Sequence, residues 1–179
     1  MLGTLNPTQL TTFRASAQAG EFLITAEVAP PKGGNPQHMV EMSATLKGRV
    51  HAVNITDGSR AVLRMSSFAA SIIFQREGIE PICPMACRDR NRIGLQSDLM
   101  GAHALGISNI LALTGDPVKA GDHPDAKSVF DLESIRLLQL IDKLNNGLDS
   151  NDKALPDGAT DLFVGAAVDP QCQIGRAHV

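Results

Sequence analysis

Apolar runs and polar stops alternate along this chain in a regular order. Short apolar runs lie at residues 21–28, 50–55, 79–87, 109–113 and 162–168, and each ends in turn-forming or charged residues. Between them lie longer stretches whose apolar positions fall three and four apart, the spacing of a helix with one buried face. Residues 37–47 place Met39, Met42 and Leu46 on one stripe, and residues 65–77 place Met65, Phe68, Ala69 and Ile72 inward. The stretch from Asn91, a good cap, to Gly106 carries Leu95, Leu99 and Ala102. The next helix, with Asp131 as its expected cap, carries Leu137, Ile141 and Leu144. Ahead of the first strand, Asn6-Pro7-Thr8-Gln9 reads as a helix start, with Leu10, Phe13 and Ala17 on a shared face and Gly20 as the stop.

The strand at 109–113 is the best defined. Ile110, Leu111, Ala112 and Leu113 form an unbroken apolar run, as expected of a strand covered on both faces. It stops at Thr114-Gly115-Asp116-Pro117, and a Gly/Pro/Asp loop follows to Ser128. The first four strands start near residues 22, 50, 79 and 109. One βα unit per roughly thirty residues matches a (β/α)8 barrel of ~250 residues divided by eight. Strict alternation implies a parallel sheet. A doubly wound open sheet is disfavoured, because no G-x-G-x-x-G follows the first strand.

The expected fold class is therefore α/β, a (β/α)8 TIM barrel that reaches about strand five. The expected division is an N-terminal helix over 1–20, a partial barrel over 21–170, and a non-native-looking tail over 171–179 with neither helical nor strand period. That tail is expected to mark a truncated reading frame, with a short natural tail as the alternative.

Composition narrows the function classes. The net charge is −3 with no basic block, which gives no reason to expect nucleic acid or an anionic membrane as partner. No apolar run approaches the ~20 residues of a membrane span. Three cysteines form no disulfide framework, so a reducing cytoplasm is expected. No metal site is expected. His38, His51, His103 and His123 lack ligand spacing, and Cys83 and Cys87, if on a strand, would sit ~13 Å apart.

In α/β barrels, chemistry gathers where strands end at their C-termini. Here those ends carry Glu27, Thr56-Asp57, Arg88-Asp89, Asp116 and Asp169. A lone Asp or Thr at a strand end is usually a turn or cap residue. Five in the same position point to an active-site rim, in which Glu27 and Asp116 could divide acid and electrostatic roles.

Four segments carry a resemblance. Ala26-Glu27-Val28-Ala29-Pro30-Pro31-Lys32-Gly33, Asn54-Ile55-Thr56-Asp57-Gly58, Cys87-Arg88-Asp89-Arg90-Asn91 and Leu113-Thr114-Gly115-Asp116-Pro117 resemble, in order and spacing, the methylenetetrahydrofolate reductase family. CRDRN and GLQSD (residues 94–98) look more like bacterial members, including those fused to a homocysteine methyltransferase.

The resemblance implies a barrel that binds FAD at its C-terminal face and uses NAD(P)H to reduce 5,10-methylenetetrahydrofolate to 5-methyltetrahydrofolate, within one-carbon metabolism and methionine biosynthesis. It implies Glu27 as the general acid that helps open the methylene bridge, and Asp116 as the carboxylate near flavin and folate. Thr56 falls near the nicotinamide. Asp57, Ser59, Thr114 and Gly115 fall on flavin-contacting positions, and Arg88 joins them as a cofactor-binding candidate. The implied partners are a folate substrate and a second subunit, in a homo-oligomer or a mixed one.

The chain departs from the family pattern at Pro84, where a flavin-contacting His is common, and at Asp169-Pro170, where Asn-Pro is common. The alternative is an inactive half-barrel that serves only as a structural or interaction module. A different flavin chemistry on the same fold, such as proline oxidation, would make the Glu-x-x-Pro-Pro and Thr-Gly-Asp-Pro segments coincidental.

Overall fold

The structure, a computed structural model, describes residues 12–167. Five strands form one parallel sheet: β1 (Thr25–Val28), β2 (Ala52–Ile55), β3 (Pro81–Ala86), β4 (Asn109–Leu113) and β5 (Phe163–Ala166). Their order in space is their order in sequence, with no reversal. That is the pattern of a barrel wall, whereas a doubly wound sheet reverses at a switch point. The helices α1 (Phe13–Gln18), α2 (Gln37–Leu46), α3 (Ser67–Arg76), α4 (Arg92–Ala104) and α5 (Ser134–Asn145) alternate with the strands. No described helix is long and apolar enough to cross a membrane.

Register sorts the side chains. Val28, Val53 and Ile55 join Met39 and Phe74 in one core. Cys83, Met85, Ile110 and Ala112 join Leu95, Leu99, Leu137, Ile141 and Leu144 in a second. These strand residues lie on the face the helices cover. The alternate positions, Glu27, Asn54, Ile82 and Asn109, stand opposite one another across neighbouring strands on the other face. Burial pushes the thiols of Cys83 and Cys87 up to about 11, so both stay protonated and packed.

Several expected elements differ in extent or phase. The first strand begins at Thr25, not at residue 21, and Phe22 is 87% exposed. β1 is an edge strand paired only with β2, so its N-terminal half has no second neighbour to hold it. In α3, Ser66 takes an extended conformation and its side chain accepts from the Ala69 amide at 3.3 Å. Starting the helix there turns Ser67, Ala70, Ser71 and Phe74 inward, leaves Ala69 exposed, and only half-buries Met65, Phe68 and Ile72.

Asp131 does not cap α5. Its carboxylate is engaged by Arg92, while Thr114 Oγ1 accepts from the Ser134 amide at 3.1 Å. Asn91 does cap α4, its Oδ1 accepting from Ile93 and Gly94 at 3.1 and 2.9 Å. Of the expected N-terminal helix, Asn6, Pro7, Gln9 and Leu10 lie outside the described residues, as do Asp169-Pro170 and the tail 171–179. The described remainder, α1, is tied to the sheet by the Phe13 amide donating to Glu80 Oε2 at 2.8 Å and by an edge-to-face contact of Phe13 with Phe163.

Candidate active site

The C-terminal ends of β1 to β4 open onto one rim, and the loops that follow them are cross-linked there. Asp57, just past β2, is nearly buried. Its Oδ2 accepts from the Ala86 amide at 2.9 Å and from Arg90 Nη1 at 2.8 Å. Arg90 reaches on to Asp98 at 3.0 Å. Burial works against the Arg90 charge, yet Asp57 and Asp98 outweigh it and hold the group above the usual guanidinium range. This ion-pair chain locks the loop after β3 to the loop after β2.

Arg88 is the keystone of the rim. Its side chain is 6% exposed and forms a two-point pair with Asp89, with Nε to Oδ1 at 2.8 Å and Nη2 to Oδ2 at 2.6 Å. The Asp89 hydrogen bonds, more than its charge, raise the Arg88 pKa above its ordinary value. Nη1 also donates to the Gly58 and Asp116 carbonyls at 3.1 and 3.4 Å. Three successive rim loops thus meet on one guanidinium.

Gly115 makes that approach possible. Its φ is +93°, and a Cβ there would lie 3.0 Å from Arg88 Cβ and 3.2 Å from Ala86 Cβ.

Asp116 follows at once. Its Oδ2 accepts from the Arg60 amide at 2.5 Å, which joins the loop after β4 to the one after β2. Arg60 and Ala61 hold φ of 56° and 54°, a conformation that side chains rarely adopt. Such backbone persists only where surrounding contacts over-determine it, and it gathers at functional sites.

Glu27 lies on the open face of β1 and is exposed, because β1 has no neighbour beyond β2. Its Oε2 accepts from Asn54 Nδ2 at 3.2 Å. Among the described residues, Thr56 Oγ1 and Asn54 Oδ1 are buried and have no hydrogen-bond partner. They are buried polar atoms of the rim with capacity to spare.

Two cavities flank the rim. One, of about 320 Å3, is lined by Asp57, Gly58, Arg64, Arg88 and His123 among others. The other, of about 520 Å3, is lined by Thr114, Gly115, Phe130 and Arg136 among others. Among the described residues, no group of three or more His, Cys, Asp or Glu side chains is placed to hold a metal ion.

The structure therefore brings together Asp57, Arg88, Gly115 and Asp116 through shared partners. Glu27 stands on the same side of the sheet, and among the described residues its carboxylate is bonded only to Asn54. Ser59 is exposed at the start of the 59–61 turn. The Thr114 hydroxyl is spent on Ser134 of α5, so its side chain is engaged with the helix layer.

Sequence reasoning missed Asn54, Arg60, Arg90 and Asp122, whose carboxylate accepts from Lys32 Nζ and the Leu63 amide. Asn54 was findable, since alternation in Ala-Val-Asn-Ile sets a polar residue on the face opposite the core. Asp122, in an aperiodic loop, gives no such signal.

A family model described as Methylenetetrahydrofolate reductase matches residues 12–161. No curated protein matches the chain.

Proposed function

The chain belongs to the methylenetetrahydrofolate reductase family, and from that premise we propose that it takes part in reducing 5,10-methylenetetrahydrofolate to 5-methyltetrahydrofolate with NAD(P)H, through FAD held at the C-terminal rim. The observation that carries the reading is the convergence of four strand ends on one rim within the matched residues. The rim's donor set suits a flavin. Thr56 Oγ1 is an unpartnered polar atom there, Gly115 leaves its backbone bare of side chain, and the rim is open enough for two cavities. Bound FAD would supply hydride relay from nicotinamide to folate.

The residues divide the remaining work. Glu27, exposed on the open face, supplies the proton to a bridge nitrogen as the methylene–nitrogen bond breaks. Asp116 supplies fixed negative charge beside the cofactor, held by Arg60 and by the Arg88 scaffold. Asp57, whose Oδ2 is held by Ala86 and Arg90, and Arg88, whose three nitrogens are all bonded to protein partners, act through that scaffold. Thr56, Ser59, Thr114 and Gly115 line or shape the cofactor's place. The five strands are read as part of a (β/α)8 barrel. Among the described residues β1 and β5 are edge strands, and open edges suit association with a second subunit, in a homo-oligomer or a mixed one. They equally favour the second reading, an inactive module that only binds a partner.

The protein has no Trp and no Tyr, so a flavin spectrum would stand out in the near ultraviolet. The expected result, once unbound FAD has been removed by gel filtration, is a yellow complex that NAD(P)H bleaches. A chain that elutes colourless after exposure to FAD refutes the reductase reading for this chain and leaves the structural one.

Two substitutions then separate the roles. Glu27→Gln should keep reduction of flavin by NAD(P)H and lose folate turnover by about 100-fold or more, the span of a placed general acid. Equal loss of both half-reactions would remove Glu27 from that role. Asp116→Asn should move the flavin's reduction potential upward, because a nearby negative charge disfavours the reduced anion. An unmoved potential with unchanged folate affinity would count against Asp116.

A further inference from the structure

We infer that Asn54 is the positioning residue for Glu27, holding one carboxyl oxygen so that the other carries the transferable proton; this rests on the reading of Glu27 as the acid. β1 and β2 run parallel with Glu27 directly opposite Asn54, and both side chains stand on the face the helices leave open. Asn54 Nδ2 donates to Glu27 Oε2 at 3.2 Å. An amide NH2 can only donate, so the oxygen it holds must accept, and the proton of the neutral acid is left to Oε1. When the methylene–nitrogen bond of the substrate breaks, its electron pair stays on that nitrogen, which takes the proton from Oε1. The positive charge passes to the bridge carbon and the remaining nitrogen. The carboxylate left behind keeps Oε2 on Asn54.

A second observation argues that Asn54 is there for more than packing. Its Oδ1 is buried and has no partner among the described residues. A buried acceptor left unpaired costs stability, and one 3.2 Å bond to an exposed carboxylate is a weak return. The residue opposite it on β3 is Ile82, and the next residue on its own face of β2 is Ala52, so an apolar side chain would suit the sheet better. Polar groups kept at such a cost mark places where function outweighs stability. On an edge strand, where Glu27 has no neighbour on its other side, Asn54 is also the one side chain bonded to that carboxylate among the described residues.

The test is a cycle of variants on the flavin-loaded chain, with the folate step and the NAD(P)H step timed separately. Asn54→Leu should slow the folate step by about tenfold or more, inside the roughly 10^2–10^4-fold a placed acid supplies, through the maximal rate and not through KM. In a Glu27→Gln background the same change should add nothing. Asn54→Ser, whose hydroxyl can donate, should recover part of the loss. An equal cost of Asn54→Leu in both backgrounds overturns the inference, because Asn54 would then act without Glu27. If Glu27→Gln itself leaves the folate step untouched, the acid reading fails first, and the inference falls with it for that stated reason.

A spectroscopic arm needs no turnover. In the 15N-labelled chain, the Asn54 side-chain amide signals should move on Glu27→Ala and stay in place on Asp116→Asn. Signals indifferent to Glu27→Ala show that the bond is not made, and that outcome overturns the inference in a chain of any activity.

Discussion

At the scale of single residues, the rim is governed by how each carboxylate spends its oxygens. Asp57 has a backbone amide and a guanidinium on one oxygen, Asp116 has the Arg60 amide, and Glu27 has only Asn54. Asp116 and Glu27 have one donor each, at 2.5 and 3.2 Å, and the more loosely held of the two is the one whose proposed task is to give up a proton. Asp131 illustrates the opposite case. Arg92 donates to it through the backbone amide at 2.9 Å and through Nε and Nη2 at 2.9 and 2.8 Å. These hydrogen bonds lower its pKa from 3.8 to about 2. A carboxyl whose folded pKa lies below its unfolded one contributes stability above the unfolded value, here 3.8, and loses it as pH falls towards about 2. Unfolding measured against pH should therefore show Asp131→Asn less stable than the parent near neutrality, with the two curves converging between those two pH values. Parallel curves across that window would mean the pair contributes nothing.

At the scale of elements, each strand had to deliver one polar residue past its last apolar position and a backbone able to turn there. Gly115 does this for β4. Substituting Ala would force a Cβ to within 3.0 Å of Arg88 Cβ at a φ of +93°. Both faults are in the backbone and a packed stem, so Gly115→Ala should cost more than about 1 kcal/mol in a urea titration. A cost below a few tenths would mean the loops adjust freely. β4 and the Asn91 cap were legible because the signals are local: an unbroken apolar run and a side chain that caps its own helix. The phase of α3 was not legible, since Ser66 and Ser67 are adjacent and either could start the helix. Nor was the Asp131–Arg92 pair. Asp131 sits where a cap belongs, and only the tertiary approach of α4 reveals that Thr114 does the bonding at α5 while Asp131 serves Arg92. For the same reason Thr114, read as a cofactor contact, is found bonded to a helix terminus.

At the scale of the whole molecule, β1 is the weak point, since a strand with one neighbour depends on its loop for anchorage. Asp122, far along the loop after β4, supplies it. Its carboxylate accepts from Lys32 Nζ at 3.1 Å, in the loop after β1, and from the Leu63 amide at 2.9 Å, in the loop after β2. The Leu63 amide first, then His123 and Lys32, hold its pKa well below the usual carboxylate range. Gly121 lets the loops meet, since a Cβ there would run into the Ala61 carbonyl. One carboxylate therefore ties three loops across the rim, and the tie does not pass through the cores beneath the sheet. Asp122→Ala should speed amide hydrogen exchange at Leu63 and through residues 29–34 while leaving β3 and β4 as protected as before, because local opening follows the contacts that are lost. If flavin is bound at this rim, the same variant should also release it faster, as the loops that frame its place come apart. Exchange that rises evenly across all five strands would mean that Asp122 supports the whole fold, and unchanged exchange at Leu63 would mean that the loops hold without it.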